Sequence, residues 1–270
     1  MQLIIEPGLA SANYWRDLWR YRELMAFLAW RDLAVRYKQT AIGVAWAIIR
    51  PALTMMVFVL FRRLMGAERG AVPDVLLVLA AVLPWQFFSN ALMDSSTSLL
   101  NNTNLISKVY FPRLIVPIAA VATAFVDFVI TLALLTVVMA WVGFAPSWTL
   151  LALPFYVALA FGLSTGLGLL LAALNVKYRD FRYVVPFIIQ VGLFISPIAF
   201  ASSSMPARWR TLYSLNPLVG IIDGFRWSIL AGRTPIDPSS LATSLAVTVV
   251  VLVIGVTYFR RTERSLADVI

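Results

Sequence analysis

The 270-residue chain has no Cys and no His. Disulfides, thiolate metal sites, a Cys nucleophile and the commonest general base are therefore excluded at once. The acids stand singly, from Asp94 to Asp127, Asp180 and Asp223. Enzymes that transfer sugars or phosphates at a membrane surface need clustered carboxylates for metal and general-base work. A membrane zinc protease, a His-based hydrolase, a glycosyltransferase and a phosphotransferase all fit poorly. A proton-coupled secondary transporter built around Asp127 would favour more intramembrane acids than this chain carries.

The remaining chemistry is recognition. Asp127 lies near the middle of a long apolar run, where an acid is costly and is a functional candidate by default; a helix-packing role facing the bundle interior is the plainer reading. Arg50 lies inside another apolar run, either as the partner of Asp127 or snorkelling to the membrane surface. Trp85, Gln86, Phe87, Phe88 and Asn90 form an aromatic and amide patch. Rings suit the CH faces of sugars and amides suit their hydroxyls, and Trp46, Gln190 and Phe194 have the same character. These residues either line a polar path or form an aromatic belt at the membrane interface.

The elements that must position these residues are membrane helices. Hydrophobic residues make up 61% of the chain and charged residues 13%, with a mean hydropathy of +0.84. A soluble domain of this length needs more charge to cover its surface. The apolar residues run continuously and do not alternate, which predicts spanning helices and not barrel strands. Six runs stand out, at about 41–61, 75–94, 114–142, 150–174, 183–200 and 241–259. The predicted fold is an all-α integral membrane protein with six spans. An N-terminal amphipathic region, 1–40, precedes the transmembrane domain, 41–270. In it Tyr14, Leu18, Tyr21, Met25 and Leu28 form one stripe and Phe27, Trp30, Ala34 and Tyr37 a second. The change of face predicts a bend or two consecutive helices lying in the membrane interface. Residues 1–8 show no signal-peptide pattern. Gln2 stands where myristoylation needs a glycine.

The formal net charge is +9. In a membrane protein this reads as cytoplasmic loops beside anionic lipid, and not as nucleic-acid binding. With six spans, one side collects Arg16, Arg20, Arg22, Arg31, Arg36, Lys38, Lys108, Arg113, Lys177, Arg179, Arg182, Arg260, Arg261 and Arg264. The other side holds Arg62, Arg63, Arg69, Arg208, Arg210, Arg226 and Arg233. This bias of fourteen to seven predicts a multi-pass protein of the bacterial inner membrane with both termini cytoplasmic. The outer segment 203–232 contains two predicted helices too short to span. One, about 206–214, carries Trp209 and Tyr213. The other starts at Asn216-Pro217, stops at Gly232 and has Leu218, Ile221, Ile222, Phe225 and Ile229 on one face. Both are expected to dip into the outer leaflet or to plug an opening. Gly162, Ser164, Thr165, Gly166 and Gly168 read as a close helix-packing surface.

Several short blocks, each at a predicted span boundary, resemble a known family. They are Arg36-Tyr37-Lys38-Gln39-Thr40 with Gly43, Trp46 and Pro51; Asn104 through Arg113 (NLISKVYFPR) with Pro117; and Asn175-Val176-Lys177-Tyr178-Arg179-Asp180-Phe181 with Pro186-Phe187, Gln190 and Ser196-Pro197-Ile198. Further on stand Leu215-Asn216-Pro217, Phe225-Arg226, Phe259-Arg260-Arg261, Glu263 and Ala267-Asp268-Val269-Ile270. The chain resembles a permease subunit of the ABC type 2 transporters, in the branch that exports polysaccharides such as O-antigen. The resemblance runs from about Trp30 to Ile270. Leu266 departs from it, where an aromatic is expected.

This resemblance implies a homodimer with a channel between subunits and two copies of a separate ABC ATPase on the cytoplasmic face. It implies a lipid-linked polysaccharide as cargo, with teichoic acid and capsular polysaccharide as alternatives. The chain carries no Gly-x-x-x-x-Gly-Lys-Ser/Thr loop, so no catalysis and no cofactor are expected in it; ATP and magnesium belong to the partner. Contact with the ATPase is expected at Lys108, Tyr110, Phe111 and Arg113, with Arg36 and Tyr37 sharing it. Trp46, Trp85, Gln86, Phe87, Phe88, Gln190 and Phe194 are the candidate channel lining. Leu218, Ile221, Ile222 and Phe225 are the candidate outer gate.

Overall fold

A computed structural model of the chain describes residues 10–38, 43, 45–66 and 72–269. Gln39 and Thr40 of the first block, Arg69 of the charge count, residues 1–8 and Ile270 lie outside them. The described residues form eleven α-helices. The first two are α1 (Ala10–Arg20) and α2 (Arg22–Lys38), which meet at Tyr21; the bend falls inside the first stripe, a turn or two before the change of face at Phe27. Then come α3 (Ala45–Leu64), α4 (Asp74–Asn101), the short α5 (Thr103–Lys108), α6 (Ile115–Val142), α7 (Leu153–Lys177) and α8 (Phe181–Ile195). The chain closes with α9 (Ala207–Ser214), α10 (Pro217–Ile229) and α11 (Pro238–Val269).

The central helix is α4, which packs against α3, α6, α7, α8 and α10. Leu76, Leu79, Leu83, Leu92 and Leu99 are buried along its length. The pair α7 and α11 crosses closely because both carry glycine at the contact. A Cβ on Gly166 would lie 2.7 Å from Leu252 Cα, and one on Gly255 would strike the Gly166 carbonyl. Without a hydrophobic drive between helices in lipid, such close approach supplies the packing energy. At one end of the bundle α2, α5, the end of α7 and the end of α11 share a cluster containing Leu28, Ile106, Val176 and Phe259. Here the Tyr14 hydroxyl donates to Glu263 Oε2 at 2.9 Å and the Arg113 amide to Glu263 Oε1 at 2.7 Å. The Arg260 guanidinium sits 4.7 Å from the Tyr14 ring centre. Burial, and then Glu263, push the Tyr14 pKa up.

The expectation of six spanning helices is corrected to five. The helices long and apolar enough to cross a membrane are Ala45–Leu64, Asp74–Asn101, Ile115–Val142, Trp148–Lys177 and Pro238–Glu263. The run at 183–200 yields only the 15-residue α8. At 1.5 Å per residue α8 is about 22 Å long, against a hydrocarbon core of about 30 Å. It stops because Pro197 disfavours helical backbone at the residue before it, and Ser196 is extended, with φ −84° and ψ 151°.

The non-helical chain after α8 would leave carbonyls without donors, which a membrane interior does not tolerate. A buried arginine supplies them. Arg226 of α10 donates to the carbonyls of Ile198 (2.8 Å), Phe200 (3.0 Å) and Leu77 (3.1 Å). Arg62 donates to the Ala199 carbonyl at 3.0 Å and pairs with Asp74 at 3.3 Å. Two short helices, α9 and α10, follow α8, and α10 is buried on nearly every side among the other helices, not laid on the lipid surface by one apolar face. The side chain of Asn216 caps α10, accepting from the Leu218 amide at 3.0 Å.

Candidate functional site

A hollow of about 850 Å³ among the described residues contains charged groups of both signs. It lies between α3 and the face of α4 and α6, with Leu193 of α8 and the end of α2 at its rim. The lining follows from helical spacing. On α4, Gln86, Ser89, Asn90, Met93 and Asp94 recur at three and four and so share one face. On α3, Trp46, Arg50, Leu53 and Thr54 do the same. From α6 come Asp127 and Thr131.

Four charged or phenolic groups meet at one end of this cavity. Arg36, near the C-terminus of α2, pairs through Nη2 with Asp94 Oδ2 at 2.6 Å and through Nη1 with Asp127 Oδ2. The Tyr37 hydroxyl donates to Asp127 Oδ1. Burial opposes the charge on Arg36, but the two carboxylates outweigh it and hold its pKa above the usual value. Burial and the bond to Asp127 push the Tyr37 pKa up. Arg50 is not the partner of Asp127. Its guanidinium lies 6.0 Å from the Trp46 ring centre, and among the described residues no carboxylate lies within ion-pair distance of it. Gln86 donates to the Thr54 hydroxyl at 3.3 Å across the α3–α4 gap.

The structure brings some of the expected residues together and not others. Trp46, Trp85, Gln86 and Phe87 border the cavity, Trp85 and Phe87 with nearly buried rings, whereas Phe88, Gln190 and Phe194 do not border it. The Trp85 ring packs against the backbone of α8, and a Cβ on Gly192 would lie 2.7 Å from it. Arg36 and Tyr37, expected at the ATPase contact, border the cavity instead of standing free. Lys108 and Tyr110 are exposed, Arg113 is half-buried and Phe111 is buried. Leu218, Ile221, Ile222 and Phe225 are buried inside the bundle, with Phe225 edge-on to Phe128 at 6.0 Å. None of those four borders the cavity.

Sequence reasoning treats Asp94 as an isolated acid and Arg226 as an outer surface charge. The spacing Gln86–Asn90–Asp94 is the available signal for the first. For Arg226 the signal is its place on the otherwise apolar α10. Among the described residues no group of three or more Asp or Glu could hold a metal ion.

Residues 23–230 match the family described as ABC-2 type transporter. An O-antigen export system permease protein of Myxococcus xanthus is 28% identical over 256 residues, covering 94% of this chain and 97% of that protein. One of Klebsiella pneumoniae is 24% identical over 250 residues, 92% of this chain and 95% of that protein. A polysialic acid transport protein of Escherichia coli is 24% identical over 242 residues, 87% of this chain and 92% of that protein. The chain therefore belongs to the ABC-2 type transporter family, whose members are non-catalytic translocation subunits, and it is a multi-pass inner-membrane permease component of an ABC exporter.

Proposed function

We propose that this chain moves a lipid-linked polysaccharide, O-antigen in the first instance, from the cytoplasm to the outer side of the inner membrane. It does so as a homodimer joined to two copies of a separate ABC ATPase that binds ATP and magnesium. The observation that carries the reading is the cavity. Trp46, 41% exposed, offers its ring beside Gln86, Ser89 and Asn90, a mixture that suits a chain of sugars with apolar CH faces and many hydroxyls. The permeases of Myxococcus xanthus and Klebsiella pneumoniae support O-antigen as the cargo. The Escherichia coli polysialic acid transport protein supports a capsular polysaccharide as the second reading, at lower identity than the Myxococcus xanthus permease.

In this reading the amphipathic region 1–40 and the transmembrane domain 41–270 divide the work. The first lies at the cytoplasmic interface and the second encloses the path. The basic end of the bundle, where Tyr14 meets Glu263, faces the cytoplasm by the charge bias. Loop 109–113 with α5 receives the push of the ATPase through Lys108, Tyr110, Phe111 and Arg113. Trp46, Trp85, Gln86 and Phe87 line the path, and segment 203–232 closes its outer end. The test is deletion of the gene in a strain that displays a surface polysaccharide. Surface polysaccharide should disappear and lipid-linked glycan should accumulate inside, with recovery on complementation and reduced recovery for Trp85→Ala. Normal surface polysaccharide in the deletion strain would refute the proposal.

A further inference from the structure

We propose that Arg36 and Tyr37 plug the polar end of the cavity by occupying the carboxylates of Asp94 and Asp127, and that sugar hydroxyls of the cargo take over those carboxylates when α2 moves. The inference rests on the reading of the cavity as a glycan path. It begins with the ownership of the groups. Both acceptors belong to the packed bundle, Asp94 to α4 and Asp127 to α6, and both donors belong to the end of α2. A displacement of α2 removes both donors together and bares both acceptors together.

The second step is electrostatic. One guanidinium serves both carboxylates, so the two acids are close neighbours. Among the described residues Arg36 is their sole ion-pair partner. Two bare carboxylates side by side at the edge of a membrane interior are costly. Whatever displaces Arg36 must bring several hydrogen-bond donors. Neighbouring hydroxyls of a sugar do so without adding charge, and the Tyr37 hydroxyl on Asp127 is already a bond of that kind.

The third step is position. A brace that merely held α2 in place would not need to face open space, yet all four residues border the cavity. The side chains of Arg36 and Asp94 are 32% and 31% exposed. Gln86 and Asn90 lie on the same face of α4, two turns and one turn before Asp94, and extend the same hydroxyl-binding surface into the path.

The experiment uses the whole transporter, this chain with its ATPase, in lipid nanodiscs. The probe is labelled lipid-linked glycan extracted from a strain that lacks the exporter. If Arg36 competes with the glycan, R36Q should tighten glycan binding about tenfold, since the binding-competent fraction rises. R36K, which keeps the charge but loses the fork that reaches both acids, should tighten it about threefold. D127N and D94N should each weaken binding about tenfold, the scale of one hydrogen bond to a charged group. In R36Q/D127N the gain from R36Q should vanish. A simple brace predicts lower thermal stability with unchanged or weaker glycan binding in both R36Q and R36K, and that result overturns the proposal. If the parental transporter binds no lipid-linked glycan, the reading of the path fails first. If the parental protein binds it and R36K and R36Q do not tighten it, only the plug fails.

Discussion

Replacement of Arg226 by Met should unseat the end of the bundle where α10 packs against α4. Arg226 is 2% exposed and gives three hydrogen bonds to carbonyls, at Leu77, Ile198 and Phe200. Leu77 is inside α4 and keeps a helical partner, so the loss falls on the two carbonyls of the non-helical stretch. A bond from a charged donor is worth about 1.5–3 kcal/mol, which puts the sum at about 3–6 kcal/mol. Asp223, 3.9 Å from Nη1, loses its buried cation as well and keeps the Ser202 hydroxyl. These terms overlap and do not add, and about 4 kcal/mol is a fair central value. That is a large share of the roughly 5–15 kcal/mol that holds a domain together. A change of about 1 kcal/mol moves the midpoint of a protein this size by about 2–4 °C, so the detergent-solubilised complex should lose about 10 °C on a fluorescence-detected size-exclusion series. Arg226→Lys offers a single point charge and should lose about half as much. Adding Asp223→Asn to Arg226→Met should recover part of the loss, because an unpaired buried acid is then removed. A midpoint for Arg226→Met within about 2 °C of the parental protein, on the scale where ~1 kcal/mol gives that shift, would show that the carbonyls find other donors and that the reasoning is wrong.

The orientation is tested with single cysteines, which the Cys-free chain allows. Exposed Ser203 replaced by Cys should react with an impermeant reagent added outside, and exposed Ser107 replaced by Cys should react only after permeabilisation; the reverse pattern would invert the proposed topology. Tyr110 is 69% exposed in the loop after α5, where an aromatic ring gains little without a partner protein to cover it. Tyr110→Ala should weaken co-purification of the ATPase by about 1–2 kcal/mol while the membrane subunit keeps its thermal midpoint, and undiminished co-purification and export would move the contact elsewhere. Gly166→Ala puts a Cβ 2.7 Å from Leu252 Cα; the forced separation of α7 and α11 should cost about 1–3 kcal/mol, read as a lower midpoint, and no change would mean that α11 can slide at little cost.

The parts of the site legible in the sequence are those fixed by period alone. Gln86, Asn90 and Asp94 lie one turn apart on α4, and Trp46 and Arg50 one turn apart on α3, so a polar face on each helix follows from helix geometry. The meeting of the two faces does not follow, because period says nothing about which helices are neighbours. Arg36 shows the limit most clearly. Beside Lys38, and just before an apolar run, it looks like one more interfacial cation. It is instead the counter-ion of two acids that lie 58 and 91 residues further along. Asp127 is, as its apolar surroundings suggest, an expensive residue in need of a partner, but Arg50, a cation within an apolar run itself, is the wrong choice. Long-range pairing of this kind leaves no trace in a single sequence.

The same gap between local and long-range information explains the extra helix. Hydropathy sums what each side chain gains by leaving water, and residues 183–200 score well on that measure. It does not count the backbone. Crossing lipid requires every amide and carbonyl to be bonded, and Ser196-Pro197 breaks the ladder that would do this within one helix. A stretch without its own donors survives at that depth only if another element lends them, and the lender must be buried, cationic and able to reach several oxygens. Arginine is the side chain that fits, with about five donors on a rigid fork. Its presence on α10, at 2% exposure and on the same helix as buried Leu218, Ile222 and Phe225, is thus the counterpart of the break after α8. A buried arginine in a short apolar helix and a Ser-Pro inside an apolar run are two halves of one structural solution, and either half in a membrane sequence is a reason to search for the other.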